Sequence, residues 1–333
     1  MKKSIRFAKI SAIGSYVPEK ILTNDDLSKM IDTSDEWIQA RTGIRERRIA
    51  ADGQITSDLC VEAARAAIKK AGISAEDVDL ILVGTITSDM PFPSTAVFVQ
   101  SKLGLQNIPC FDYNVACSGT QYGIALANAL LTSSDSYKNI LLICGDKMTS
   151  VVDWNDRATC VLLGDGAGAA IFSATEKEEE NSVIDVLLGA DGKLWELLHV
   201  PAGGSSEPAS VKTIEDGKHF FKMKGRDVFR EAIRIMEGCA REILQRNGMT
   251  VADIDFVVLH QANLRIIEAL QERLKIPDEK VCITVDKYGN TSGSSCLIAI
   301  DTFARSGRIR SGSKILSVGF GAGLTWGAAI LKF

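Results

Sequence analysis

Cys117 stands in the run Asn114-Val-Ala-Cys-Ser-Gly-Thr120, directly before a helical pattern that extends from Gln121 to Leu131. A thiol at a helix N-terminus meets the positive end of the macrodipole and unpaired N–H groups, which lower its pKa and favour the thiolate. Such a thiolate is a nucleophile toward acyl groups. The Ser118-Gly119 pair beside it lets other backbone approach closely. The competing reading is a small buried hydrophobe in a tight turn. That reading suits Cys60, Cys110, Cys144, Cys160, Cys239, Cys282 and Cys296, which all lie in apolar stretches. None of the eight cysteines is spaced Cys-x-x-Cys, so the pattern points neither to a disulfide scaffold nor to a metal site.

A thiol nucleophile needs a partner that moves protons or donates hydrogen bonds, and the chain has three histidines. His199 and His219 lie in irregular, turn-rich sequence and read as surface or structural residues. His260 directly follows an apolar strand pattern ending at Leu259, the end of a strand at which ligand chemistry collects in α/β sheets. Asn290 sits in the polar glycine turn Tyr288-Gly-Asn-Thr-Ser-Gly-Ser-Ser295. Its amide serves turn geometry or capping unless Cys117 and His260 lie nearby. The glycine runs Gly164 to Gly168 and Gly319 to Gly323 have neither G-x-G-x-x-G spacing nor a P-loop lysine. They read as sites of close strand packing, and the second also as a source of a backbone N–H aimed at a substrate oxygen.

The elements that position these residues are written twice. Residues 64 to 83 (ARAAIKKAGISAEDVDLILV) match residues 240 to 259 (AREILQRNGMTVADIDFVVL) without gaps, at a constant offset of 176 residues. Each copy predicts an amphipathic helix ended by a glycine, then a Ser or Thr, then an Asp leading into a nearly all-apolar strand. Residues 138 to 145 (KNILLICG) resemble residues 314 to 321 (KILSVGFG) in the same way. Two α/β halves are expected, 1–175 carrying the cysteine and 176–333 carrying the histidine and asparagine, joined near the charged run Glu176 to Asn181. The Asn290 turn lies in the second half at about the place of Cys117 in the first, so the active site is expected where the halves meet.

Composition bounds the rest. The 333 residues are 46% hydrophobic and 24% charged, as in ordinary globular chains. A net charge of -4 argues against a nucleic-acid backbone as the main partner. Apolar runs have strand length, far short of a membrane span, and Arg6 and Lys9 break any signal-peptide core. A cytoplasmic location is expected.

With those residues on the page, the chain resembles β-ketoacyl-acyl carrier protein synthase III of the thiolase-like superfamily along essentially all its length. The resemblance rests on Asp35-Glu-Trp37-Ile with Arg41 to Arg47, Ala116-Cys117, Gly164 to Ala169, His260-Gln-Ala-Asn-Leu-Arg265, Tyr288-Gly-Asn-Thr-Ser292 and Thr325-Trp-Gly327. It implies a layered αβαβα fold and a Cys117, His260, Asn290 triad. It implies transfer of an acyl group from acyl-CoA to Cys117, then decarboxylative condensation with malonyl-acyl carrier protein (malonyl-ACP), initiating fatty acid biosynthesis. Backbone N–H groups of Cys117 and Ala322 would hold the oxyanion. No cofactor or metal is implied beyond these substrates.

The resemblance also implies that Trp37 and Arg157 hold the adenine of CoA between them, and that Arg41, Thr42, Phe229 and Asn263 belong to the CoA tunnel. Arg265 and the basic residues of its helix would dock the acidic carrier protein, and Phe92 would cross a homodimer interface into the partner's acyl pocket. Ala158 and Ala322 depart from the family, which often has glycine at both places. Three other readings were weighed. A papain-like protease shares the Cys-His-Asn order but lacks the Cys-Gly-Ser-Cys-Trp context and the repeat. A condensing enzyme or acyltransferase of a specialised pathway remains open, while intact Cys117 disfavours a non-catalytic subunit.

Overall fold

The repeated sequence folds into two mixed sheets of one pattern, in a computed structural model that describes residues 5–333. Phe7–Tyr16, Gly166–Thr175, Asn139–Asp146, Leu80–Gly84 and Cys110–Tyr113 lie side by side in the first sheet, in that order. Val183–Ala190, Thr325–Lys332, Lys314–Gly321 and Phe256–Leu259 do so in the second. In both, the first two pairings are antiparallel and the third is parallel. The first sheet adds Cys110–Tyr113, a parallel edge strand paired to Leu80–Gly84.

Strand side chains alternate between two buried faces, which explains the near-continuous apolar runs. Ile81 and Val83 pack outward against Leu59, Ala63 and Ala67 of the helix Thr56–Ala71. Leu80 and Leu82 pack inward with Ile124 of the helix Gly119–Ser133 and Leu297 and Ile300 of the helix Ser295–Arg305. Val257 and Leu316 face Met236 and Ile243 of the helix Gly225–Arg246, with Leu270 of Leu264–Leu274. Three apolar cores, the middle one shared by both sheets around the inner helices, thus fill the four interfaces of five layers, αβαβα.

The repeated punctuation has the expected geometry. Gly72 and Gly248 end their helices with φ of 67° and 63°, which costs least at glycine. The Asp79 carboxylate accepts from the backbone N–H of Lys138 and Asn139 at 2.7 and 2.8 Å, and Asp255 from that of Lys314 at 2.7 Å. Each aspartate therefore ties its strand to the start of the parallel neighbour.

The two inner helices meet end to end. Ala116–Ser118 and Ser292–Ser294 are matching single turns ahead of them. Ala116 and Ser292, 176 residues apart, both adopt left-handed φ of 49° and 55°, where residues with a Cβ are rare. Thr120 Oγ1 donates to the Gly293 carbonyl at 2.7 Å, and a Cβ on Gly293 would stand 2.9 Å from the Ala116 carbonyl oxygen. Glycine at the position equivalent to Cys117 is what lets the two turns touch.

Candidate active site

Cys117, His260, Asn290, Ala322, Phe229 and Asn263 line one cavity, with Met148, Met223 and Phe320 among its mostly apolar walls. An apolar lining with a few convergent polar groups suits a small-molecule site. Each polar residue arrives from a different element. Cys117 comes from the turn before Gly119–Ser133, and His260 from the end of Phe256–Leu259, its backbone N–H on the Val318 carbonyl at 2.8 Å. Asn290 bridges to the first half, donating from its backbone to the Leu162 carbonyl at 2.8 Å and accepting from the Gly164 N–H at 3.0 Å. A Cβ on Gly164 would lie 2.3 Å from the Tyr288 carbonyl oxygen, so this glycine permits the close packing expected of its run. Gly321 does the same for the nucleophile's turn: a Cβ there would lie 2.6 Å from the Cys117 nitrogen.

Hydrogen bonds orient the side chains. The Ser292 backbone N–H donates to Asn290 Oδ1 at 2.8 Å, which turns the Nδ2 donors toward the cavity, and the Asn290 amide reaches the Cys117 thiol. His260 Nδ1 lies 2.8 Å from Ser295 Oγ, leaving Nε2 for the cavity. Ser295 Oγ already accepts the Gln261 N–H at 3.3 Å, so its own proton is available for Nδ1. With that proton donated to Nδ1, the hydrogen of the neutral imidazole sits on Nε2.

Burial sets both ionisations. His260 is only 4% exposed, and burial lowers its pKa from 6.5 to about 4. The Cys117 thiol is pushed from 9.0 up to about 12, mainly by burial and further by Asp146, against hydrogen bonds from Ser292 and Asn290. This corrects the lowered thiol pKa expected from the helix terminus. A helix terminus contributes about 0.3–2 kcal/mol, at most about one and a half decades of ionisation. That does not offset enclosure in an apolar cavity. The resting pair is a neutral thiol and a neutral imidazole.

The low histidine pKa has a consequence for stability. Between pH 6.5 and 4 the unfolded chain takes up a proton that folded His260 refuses, so stability falls as pH falls through this window. The expected loss from this group is about 2 kcal/mol by pH 5. Denaturant midpoints at pH 7 and pH 5 check it: His260→Asn should shrink the difference by that amount. An unchanged difference would mean that the imidazole protonates in place.

Arg157 lies directly over the Trp37 ring, 4.6 Å from its centroid, with Arg41 at 5.8 Å. An aromatic ring between Trp37 and Arg157 needs about 7 Å, two contact distances. The pair is therefore closed, and a sandwich requires Arg157 to swing away from its 2.8 Å bond to the Asp32 carbonyl. Thr42 is buried and stands apart from the cavity lining; its hydroxyl donates to the Ile38 carbonyl at 2.7 Å and accepts from the Ile44 N–H at 3.0 Å. Those two bonds shape the helix end. Asn263 Nδ2 donates to the Arg41 carbonyl at 3.1 Å, linking the cavity wall to that segment.

Arg265 stacks over Phe229 at 5.6 Å, while Arg273 of the same helix pairs with Glu237 at 3.0 Å. Phe92 is 84% exposed and stands apart from the cavity lining. Ala158 sits in a capped turn, its N–H on Asp156 Oδ1 at 3.0 Å. Sequence reasoning missed Ser292, Ser295 and Asp146. Ser292 and Ser295 lay inside a motif it had quoted, but nothing in their type distinguished them from ordinary turn serines.

Comparison with known proteins is consistent along the chain. Residues 111–192 match the family described as 3-oxoacyl-[acyl-carrier-protein] synthase III, and residues 244–333 match its C-terminal part. A β-ketoacyl-[acyl-carrier-protein] synthase III of Caldanaerobacter subterraneus subsp. tengcongensis is 49% identical over 326 residues, covering 98% of each chain. The crystal structure of 3-oxoacyl-[acyl-carrier-protein] synthase III from Aquifex aeolicus superposes with a TM-score of 0.90 at 41% identity, covering 98% of this chain and 100% of that one. The priming β-ketosynthase of the R1128 polyketide pathway superposes with a TM-score of 0.90 at 34% identity, covering 100% and 98%.

Proposed function

The chain belongs to the 3-oxoacyl-[acyl-carrier-protein] synthase III family, and on that premise we propose that it transfers an acyl group from acyl-CoA to Cys117 and condenses it with malonyl-ACP, releasing CO2. The observation that carries this reading is the convergence of Cys117, His260 and Asn290 from both halves on one apolar cavity. In the first step the Cys117 sulfur attacks the acyl-CoA thioester, and backbone N–H groups of Cys117 and Ala322 receive the oxyanion. The CoA thiolate leaves with a proton. A thioester replaces a thioester, so the acyl group is held without being trapped.

In the second step malonyl-ACP loses CO2, and charge develops on its thioester oxygen. The Nε2–H of His260 and the Nδ2–H of Asn290 donate to that oxygen. The carbanion attacks the acyl carbon, and Cys117 leaves as thiolate and takes up a proton from solvent to restore the resting thiol. The reaction so drawn uses acyl-CoA and malonyl-ACP as substrates and asks for no resident cofactor.

In this reading Trp37, Arg41 and Arg157 receive the adenine end of CoA, while Phe229 and Asn263 line the pantetheine path. Arg265 docks the carrier protein through a contact that weakens with salt. We extend the proposal to a homodimer. The edge strand Cys110–Tyr113 pairs on one side, and Met90, Phe92, Val97 and Phe111 are exposed on neighbouring segments. A second copy would cover that apolar surface and bring Phe92 to the partner's pocket. Eight free cysteines suit a reducing cytoplasm, and no helix among the described residues is long and apolar enough to cross a membrane.

Radiolabelled acetyl-CoA and longer and branched acyl-CoAs test the proposal. The expected result is a label on Cys117 that is discharged by malonyl-ACP with one CO2 per β-ketoacyl product. No label from any primer would overturn it.

A further inference from the structure

Asp146 is a buried carboxylate that the steps above leave unused. It ends the strand Asn139–Asp146, 1% exposed, beside the nucleophile's turn. Its Oδ1 accepts four hydrogen bonds: from Thr85 Oγ1 at 2.9 Å, the Ile86 N–H at 2.8 Å, the Thr87 N–H at 3.1 Å and Thr87 Oγ1 at 2.9 Å. Those bonds hold the loop after Leu80–Gly84, whose Ile86 lines the cavity. None of them uses Oδ2. The Ser292 side chain also acts on this carboxylate, lowering its pKa against the effect of burial.

Ser292 faces the other way as well. Cys117 Sγ donates to Ser292 Oγ at 3.7 Å, so one hydroxyl accepts the thiol and also acts on the carboxylate. The serine is held there by its left-handed backbone, φ 55°, a conformation an ordinary turn serine seldom adopts. His260 is poorly suited to take the thiol proton, because its burial leaves it weakly basic and its Nε2 carries hydrogen in the network described.

We propose that Cys117, Ser292 and Asp146 form a proton relay for acylation, separate from the His260 and Asn290 pair. As sulfur attacks the acyl-CoA carbonyl, the thiol proton passes to Ser292 Oγ and the Ser292 hydroxyl proton passes to Asp146. The S–H bond breaks, an Asp146 O–H bond forms, and the serine is regenerated. Asp146 then returns its proton to Ser292 Oγ, whose hydroxyl proton passes to the departing CoA thiolate, so no other reactant is needed. The transfer also removes a repulsion, since ionised Asp146 is what disfavours the neighbouring thiolate after burial itself. Burial already raises the carboxyl above its ordinary value, which moves its basicity toward that of a thiol.

The titratable groups facing Asp146 are Cys60 from the helix Thr56–Ala71, Tyr113 from the edge strand, Cys117, and Cys144 on its own strand. Burial keeps all four neutral, and Cys60 also feels Asp89. No cation among them pins Asp146 as an anion.

This inference rests on Cys117 being the acylated nucleophile. Two variants test it in pre-steady-state acylation by acetyl-CoA across pH 5 to 9, read by intact-protein mass. Asp146→Asn keeps an Oδ1 acceptor for the loop but takes no proton. Ser292→Gly keeps the backbone bond to Asn290 Oδ1, suits the positive φ and removes the bridge. Both should acylate about 100-fold more slowly and lose the acid limb of the wild-type profile, while malonyl-ACP decarboxylation stays within a few-fold. A merely structural role would leave the acid limb in place. If Asp146→Asn fails to fold, Ser292→Gly alone decides. Wild-type rates and profile in Ser292→Gly overturn the relay; absence of label in the wild type overturns the nucleophile instead.

Discussion

Cys117→Ala is expected to lose β-ketoacyl product by at least about 10⁴-fold, the scale on which removing a nucleophile acts. It should retain most of its malonyl-ACP decarboxylation. The reason lies in how the donors are held. His260 is fixed by Ser295 and by the Val318 carbonyl, and Asn290 by the Ser292 N–H and Leu162, so neither depends on the sulfur for its position. Release of ¹⁴CO2 from labelled malonyl-ACP, set against β-ketoacyl product, separates the two activities. Acyl label that persisted in Cys117→Ala would move the nucleophile elsewhere. Cys110 is then the first place to look, as the other cysteine that is not fully buried.

What the sequence disclosed depended on the range of the physics involved. Residues 64–83 and 240–259 spelled out a helix, a glycine stop and a strand because these follow from local periodicity and from glycine's tolerance of positive φ. The same repeat led to the meeting of Cys117 with the Asn290 turn, which the matching turns 116–118 and 292–294 realise. The left-handed Ala116 and Ser292 were not legible, since neither residue type prefers that conformation; close approach through Gly293 and Gly321 imposes it. The thiol pKa was misjudged for a related reason. Helix position is visible in a sequence, whereas enclosure by Phe320, Met148 and Ile86 is not. Thr42 resembled a ligand contact by motif; its hydroxyl donates to the Ile38 carbonyl and accepts from the Ile44 N–H. Arg157 and Trp37 lie against each other as a closed stack. Asp146 carried no sequence signal at all, because its meaning comes from four donors and a serine brought from residues 85–87 and 292.

His260→Ala and Asn290→Ala should each lower condensation about 10²- to 10³-fold, the usual effect of deleting one donor to a developing oxyanion. The loss should appear in decarboxylation, while acyl label on Cys117 forms within a few-fold of the wild-type rate. Asn290→Ala should slow labelling slightly more than His260→Ala, because the Asn290 amide also reaches the thiol. The double variant should lose less than the product of the two, since both groups serve one oxygen and the first deletion already weakens what the second can contribute. Acidity adds an independent mark. With the His260 pKa near 4, the imidazole stays neutral throughout ordinary assay conditions, so the decarboxylation rate should be flat from pH 8 down to about 5.5. An inflection near 6.5 would mean a solvated histidine, and with it a different donor for the enolate. Single-turnover decarboxylation by each variant, run beside acyl labelling of the same preparation, tells whether His260 and Asn290 serve decarboxylation separately from acylation.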